Sequence, residues 1–268
     1  MQIKTVESGR GAGWLLDGAD FFTRDIKNWA AASLALVIMS YLAGKVPAGM
    51  GELVFNVLSP VFLGGLMLGC RTQDQGGQFP FPSLFAGFGD RFVPLLLIGV
   101  ILLAGIFVLV LFAVISIFLF GINLASILDA LQSGDISHVD SNFSLALIPI
   151  LIAIGASVPL FMAVWFAPAL IVLANLGVSA ALKQSFAGCL ANIVPFLVYG
   201  AAGLGICIAL VFATGIFSLF GSMLAKMLFG ACMLILIPVT TASIHIGYKE
   251  IFSGDAAAPV VTATGPGA

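Results

Sequence analysis

Six long apolar stretches of this chain contain no Lys, Arg, Asp or Glu. An uncharged apolar run of about 18 residues or more is long enough, as a helix, to cross the hydrocarbon core of a bilayer. Inside that core every backbone N–H and C=O has to be satisfied within the protein, so such a run folds as a helix. The stretches fall at about 28–44, 53–70, 94–120, 144–174, 195–220 and 227–248. They predict an all-α fold, a polytopic membrane bundle of six transmembrane helices. Composition excludes the soluble alternative: 8% of residues are charged, where a soluble domain carries roughly 25%. The mean hydropathy is +1.18.

Residues 1–27 read as a cytoplasmic N-terminal segment with an amphipathic helix, 28–252 as the six-span membrane domain, and 253–268 as a disordered cytoplasmic tail rich in Ala, Pro, Gly and Thr. The N-terminus lacks the short basic segment and immediate apolar region of a signal peptide, so the first span is expected to stay in the mature protein. The fourth span carries Pro149, Pro159 and Pro168. Each removes a backbone donor, and a broken fourth span is predicted. With the N-terminus inside, Lys4, Arg10, Arg24, Lys27, Arg71, Arg91, Lys183 and Lys249 fall on the inner side, leaving Lys45 and Lys226 outside. The positive-inside rule then puts both termini on the inner, cytoplasmic side of the membrane. The large outer loop, about 121–143, has Asp129, Asp135 and Asp140 and no basic residue, which agrees.

The chain matches itself at a shift of 101 residues. Phe85-Ala86-Gly87, followed by Val93-Pro94, recurs as Phe186-Ala187-Gly188, followed by Val194-Pro195. Gly99 pairs with Gly200, and the spans end in Phe120-Gly121 and Phe220-Gly221. Each copy follows a span with a proline, Pro60 or Pro168, and the last span carries Pro238. A weaker third copy begins in the amphipathic stretch from Leu16 to Trp29. The pattern predicts a parallel internal repeat of helical hairpins, each preceded by an interfacial amphipathic helix. It makes Pro60, Pro94, Pro168, Pro195 and Pro238, with Phe85, Gly87, Phe186 and Gly188, the candidate structural or gating positions.

In 179–193, Leu182, Phe186, Cys189, Leu190 and Ile193 fall on one helical face, and in 83–92 Leu84, Phe85, Phe88 and Phe92 do so similarly. These faces are expected to rest on the membrane. Ala201, Gly205, Ala209 and Ala213, and separately Gly65 and Gly69, are small residues spaced by four, which lets helix backbones approach closely. Packing within the bundle is the expected use, with self-association as the alternative.

Chemistry is sparse. No Gly-x-Ser-x-Gly, His-Glu-x-x-His or Walker-type loop occurs. The four cysteines, Cys70, Cys189, Cys207 and Cys232, form no Cys-x-x-Cys pair and are expected to be free thiols. Asp135-x-x-His138-x-Asp140 could bind a divalent ion, but a solvated loop explains it. His245, Tyr248, Lys249 and Glu250 read as interfacial anchors. Asn56, Ser59, Ser157, Tyr199, Thr214, Ser218, Thr240, Thr241 and Ser243 are the polar residues at membrane depth, several placed to satisfy backbone groups that a proline frees. No cofactor or metal is implied, and there is no basic patch for nucleic acid.

Gly13-Trp14, Trp165-Phe166-Ala167-Pro168-Ala169-Leu170, Ser185-Phe186 and Asn192-Ile193-Val194-Pro195-Phe196 resemble an uncharacterised family of bacterial six-span inner-membrane proteins. More loosely, the layout is similar to the membrane domain attached to some glycerophosphodiester phosphodiesterases. That domain is not their catalytic part, so the resemblance implies location and architecture and no activity. The expected function is that of a non-enzymatic accessory or lipid-interacting membrane protein, with membrane lipids, a second copy or another membrane protein as partners. The alternative is a transporter or lipid-handling protein with a weakly polar cavity between repeats. An intramembrane enzyme ranks last.

Overall fold

The computed structural model describes residues 2–119 and 143–252. Among these residues there are nine α-helices and no strand: α1 (Arg10–Thr23), α2 (Ile26–Ala43), α3 (Met50–Asp74), α4 (Phe92–Leu119), α5 (Phe143–Trp165), α6 (Ala167–Leu173), α7 (Val178–Ala191), α8 (Ile193–Ser218) and α9 (Ser222–Phe252). Two 3-10 segments, Pro47–Gly49 and Phe81–Phe88, lead into α3 and α4. Six segments are long and apolar enough to span a membrane: Ile26–Ala43, Pro47–Asp74, Phe92–Leu119, Ile148–Leu173, Ile193–Ser218 and Ser222–Phe252. The protein is a multi-pass helical membrane bundle. The loop that holds His138 and the tail 253–268 lie outside the described residues.

Two helices run past the ends of their apolar stretches. α3 continues to Asp74 and α9 to Phe252, taking in Arg71, Asp74, Lys249 and Glu250. Asp74, Lys249 and Glu250 find partners on neighbouring helices, so the helices have no reason to stop where apolarity does. Lys249 Nζ donates to Asp74 Oδ2 at 2.6 Å, and Glu250 pairs with Arg10. The ends of α3 and α9 and the whole of α1 thus share one side of the bundle, called here the terminal side. The α2–α3 and α8–α9 turns lie on the far side.

Burial follows that division. On α3 the buried residues run from Pro60 to Gln73, on α9 from Pro238 to Phe252, and on α8 they are Pro195 and Tyr199. Far-side side chains such as Phe107, Phe118, Phe212 and Phe220 are 64–80% exposed. In a bilayer this carries no penalty, because lipid tails are as apolar as the side chains that face them.

The fourth span breaks at Phe166, between α5 and α6. Pro149 and Pro159 lie inside α5 without ending it. The break has a second cause besides Pro168. Ser185 of α7 donates to Met162 O at 2.7 Å and accepts from Phe166 N–H at 2.9 Å. Residues 162 and 166 would otherwise bond each other, so the hydroxyl is inserted into the helical ladder, which bends a helix. Cys189 Sγ reaches the same Met162 carbonyl at 3.5 Å.

The amphipathic segments meet different surroundings from those their apolar faces suggest. α1 turns Gly11, Trp14, Leu15, Gly18 and Phe21 onto α8 and α9. In α7 the protein-facing residues are the small ones, Ala181, Ser185, Gly188 and Cys189, while Leu190 is 53% exposed. Close approach selects small residues here: a Cβ at Gly188 would collide with the Phe252 ring. Residues 81–88 form a 3-10 segment, which buries Leu84 and leaves Phe85 and Phe88 partly exposed. The two halves of the 101-residue match therefore differ in local structure. The small-residue ladder of α8 also departs from expectation: Ala201, Gly205 and Ala209 are exposed among the described residues, outside the packed bundle. Gly65 and Gly69 do pack inside, against Ser83–Leu84 and Phe79.

Candidate functional site

The terminal side is fastened by hydrogen bonds between segments far apart in the chain. Arg10 of α1 pairs with Asp17 at 2.7 Å and with both carboxylate oxygens of Glu250. Glu250, then Asp17, raises the Arg10 pKa above its ordinary value by holding the guanidinium in its charged form. The indole N–H of Trp14, 1% exposed, donates to Glu250 Oε2 at 2.8 Å. On the same helix a Cβ at Gly11 would strike the Pro195 carbonyl, and one at Gly18 would meet the Val239 carbonyl at 2.6 Å.

Three further ties complete this base. Asp74 accepts from Lys249 and sits 2.8 Å from Nε2 of His245, which is 2% exposed. Gln73 accepts from the Trp29 indole at 2.8 Å and donates to the Phe21 carbonyl at 2.8 Å. Trp29 in turn stacks on Phe79 with ring centroids 3.9 Å apart, and Asp25 accepts from Phe79 N–H at 2.9 Å. Asn192, between α7 and α8, accepts from Val6 N–H at 2.8 Å and donates to Lys4 O at 3.0 Å and to Gly188 O at 2.9 Å, while Lys4 N–H reaches Ile251 O. The extended residues before α1 are thereby sewn to the ends of α7 and α9. These groups hold helices together; none of them pairs a nucleophile with a base. Burial pushes the Cys189 thiol up to about 12, which keeps it protonated at neutral pH.

Above this base, on the far side, α2, α3 and α9, with Thr214 of α8, line an open-sided cavity of about 1060 Å³. Its floor is Leu36, Phe62 and Leu66, all buried. Its wall is mostly apolar, with Phe55 and Leu63 from α3 and Met233 and Ile237 from α9. Ser40, Ser59 and Thr214 add hydroxyls, though Ser59 is bonded to Asn56 O and Thr214 to Leu210 O. Asn56 O is the carbonyl that Pro60 leaves without its helical N–H, so Ser59 takes the role its position predicts. The mouth carries Tyr41, Lys45 and Lys226, and Lys45 Nζ lies 4.8 Å from the centre of the Tyr41 ring. The stretch of α9 from Ala225 to Ile237 lines the cavity, so it is roughly 18 Å deep at 1.5 Å per residue. That takes it from the far rim to the middle of α9.

Comparison with protein families, with curated proteins and with solved structures finds no match to this chain.

The sequence-derived positions do not gather at this cavity. Pro60 and Pro238 are buried in the helices that flank its floor. Pro94 and Pro195 begin α4 and α8, and Pro168 begins α6. Gly87 lies against Val61 of α3 and Gly188 against Phe252, two contacts at separate places on the terminal side. Phe85 edges onto Phe62, and Phe186 is half-buried on α7. The expectation missed Lys45 and Lys226, although both were visible as the two basic residues left on the far side. It also placed His245, Lys249 and Glu250 as interfacial anchors, whereas they close the base with Asp74 and Arg10. Among the described residues no group of three His, Cys, Asp or Glu side chains could hold a metal, and the Asp135–His138–Asp140 motif lies outside them.

Proposed function

We propose that this chain is a non-enzymatic, lipid-interacting protein of the bacterial inner membrane, with both termini in the cytoplasm, that takes up the chain of a membrane amphiphile. The observation that carries the reading is the open-sided apolar cavity, with the buried Leu36, Phe62 and Leu66 at its terminal-side end. Its volume, about 1060 Å³, lies at the upper edge of what ligand sites show, about 300–1,000 Å³. Its depth lets an acyl chain enter from the adjoining leaflet without leaving an apolar medium. The packed base beneath Leu36, Phe62 and Leu66 favours holding a lipid over passing a solute through. Eight basic residues on the terminal side against two on the far side support the orientation.

Native mass spectrometry of the full chain, extracted with surrounding lipid, tests this. One retained lipid per chain is expected. Gly230 lines the cavity, and a Cβ there meets nothing within 4 Å, so Gly230→Trp fills the space without a backbone clash. It should abolish retention and leave the fold intact. Retention unchanged in Gly230→Trp would place the lipid elsewhere. A co-purifying protein partner with no retained lipid would replace the reading with that of an accessory scaffold.

A further inference from the structure

We infer that the cavity selects an amphiphile with an anionic headgroup, a membrane lipid of the far leaflet whose phosphate is held between Lys45 and Lys226. This deepens the lipid reading above and rests on it. The sequence leaves two basic residues on the far side, and the fold brings both to one cavity mouth from positions 181 residues apart: Lys45 just beyond the end of α2 and Lys226 in the second turn of α9. Among the described residues no carboxylate lines the cavity; Asp129, Asp135 and Asp140 of the outer loop lie outside them. Glu52 is the far-side acid among the described residues; it faces Gly44 and lies outside the lining. The ion pairs among the described residues all belong to the terminal side, to Arg10, Asp17, Glu250, Asp74 and Lys249.

The layout matches an amphiphile end to end. An apolar shaft ends at a rim where two ammonium groups stand at the level of lipid headgroups. Lysine stems lie along apolar surface and carry their charge to that level. The Tyr41 ring under Lys45 holds one ammonium at the mouth by cation–π attraction. A zwitterionic headgroup would bring its own cation to the same place and lose part of the attraction.

The test reconstitutes the full chain in nanodiscs of equal phosphatidylcholine and phosphatidylglycerol and reads the retained lipid by native mass spectrometry. A juxtamembrane lysine is worth about 1 kcal/mol with anionic lipid, so two give roughly a ten- to thirtyfold preference for phosphatidylglycerol. In Lys45→Ala/Lys226→Ala the preference should fall to parity, with one lipid still retained. In Lys45→Glu/Lys226→Glu it should invert. Both positions are exposed, so the variants keep the thermal stability of the parent. A parent that retains lipid without preference, or a double alanine variant that keeps the preference, overturns this inference and leaves the lipid reading standing. A parent that retains no lipid overturns both.

Discussion

Glycines measure how differently the two sides of the bundle are built. On the terminal side a Cβ at Gly11, Gly65, Gly87 or Gly188 would run into a carbonyl or a ring of the neighbouring element. On the far side a Cβ at Gly205, Gly215 or Gly230 would meet nothing within 4 Å. Lipid tails supply no hydrophobic drive between helices, so association there depends on close packing and hydrogen bonds. The terminal side has both, in the contacts of α1 and the ties through Glu250, Asp74, Gln73 and Asn192. The far side has close approaches at Gly51, against the Ala43 carbonyl, and at Gly105, against Leu160, but around the cavity its helices stand apart and leave a space that lipid can fill. The difference teaches that one apolar composition yields a rigid base or an open chamber, according to where the few polar groups and glycines are placed.

Trp14→Ala should have the largest effect. It empties a fully buried site and leaves Glu250 with one donor fewer, for a loss of about 3–5 kcal/mol. A thermal ramp in detergent followed by size-exclusion chromatography would read it, and an unchanged midpoint would mean that α1 is not part of the base. Asp74→Asn comes next, since it removes the anion shared by His245 and Lys249. Hydrogen bonds to a charged group are worth about 1.5–3 kcal/mol, and the same ramp should fall accordingly. Ser185→Ala withdraws the hydroxyl between Met162 O and Phe166 N–H, at about 1–3 kcal/mol for groups left unpaired. Amide hydrogen exchange at Phe166 should then speed up, and unaltered exchange would assign the break to Pro168 alone.

The smallest effect belongs to the far side. Phe212→Ala trims a side chain that is 69% exposed to lipid, and its cost should stay within about 0.5 kcal/mol. A drop as large as that of Trp14→Ala would erase the contrast between the sides.

The spans were legible because an uncharged apolar run has one outcome in a bilayer. Their order, approximate ends and the break in the fourth were read from charge and proline. The base was not legible, since Arg10 and Glu250 are 240 residues apart and Asp74 and His245 are 171. Each of these residues has an adequate local explanation as a polar residue near the end of a span, and periodicity carries no long-range pairing. The face of α7 misled for a related reason. Leu182, Phe186 and Leu190 form the more apolar stripe, but a helix in contact with lipid can turn its large residues outward and its small ones inward. A weakly polar cavity was the alternative reading of the sequence, and Ser59 and Thr214, polar residues at membrane depth, do line the one found. Its place among α2, α3 and α9 was not legible; the pair of far-side lysines was its other trace.

The long reach between Arg10 and Glu250 also sets an order of assembly. α1 leaves the ribosome first, while its partners in α8 and α9 are made last. At about 5–20 residues per second, roughly 10–50 s separate the two ends of that contact. Trp14 and Arg10 must wait at the membrane surface while six spans are inserted, and the base closes only after Glu250 has been synthesised. A chain stalled before α9 keeps its spans in the bilayer with α1 unlatched, so the same contact that fastens the finished protein marks an unfinished one.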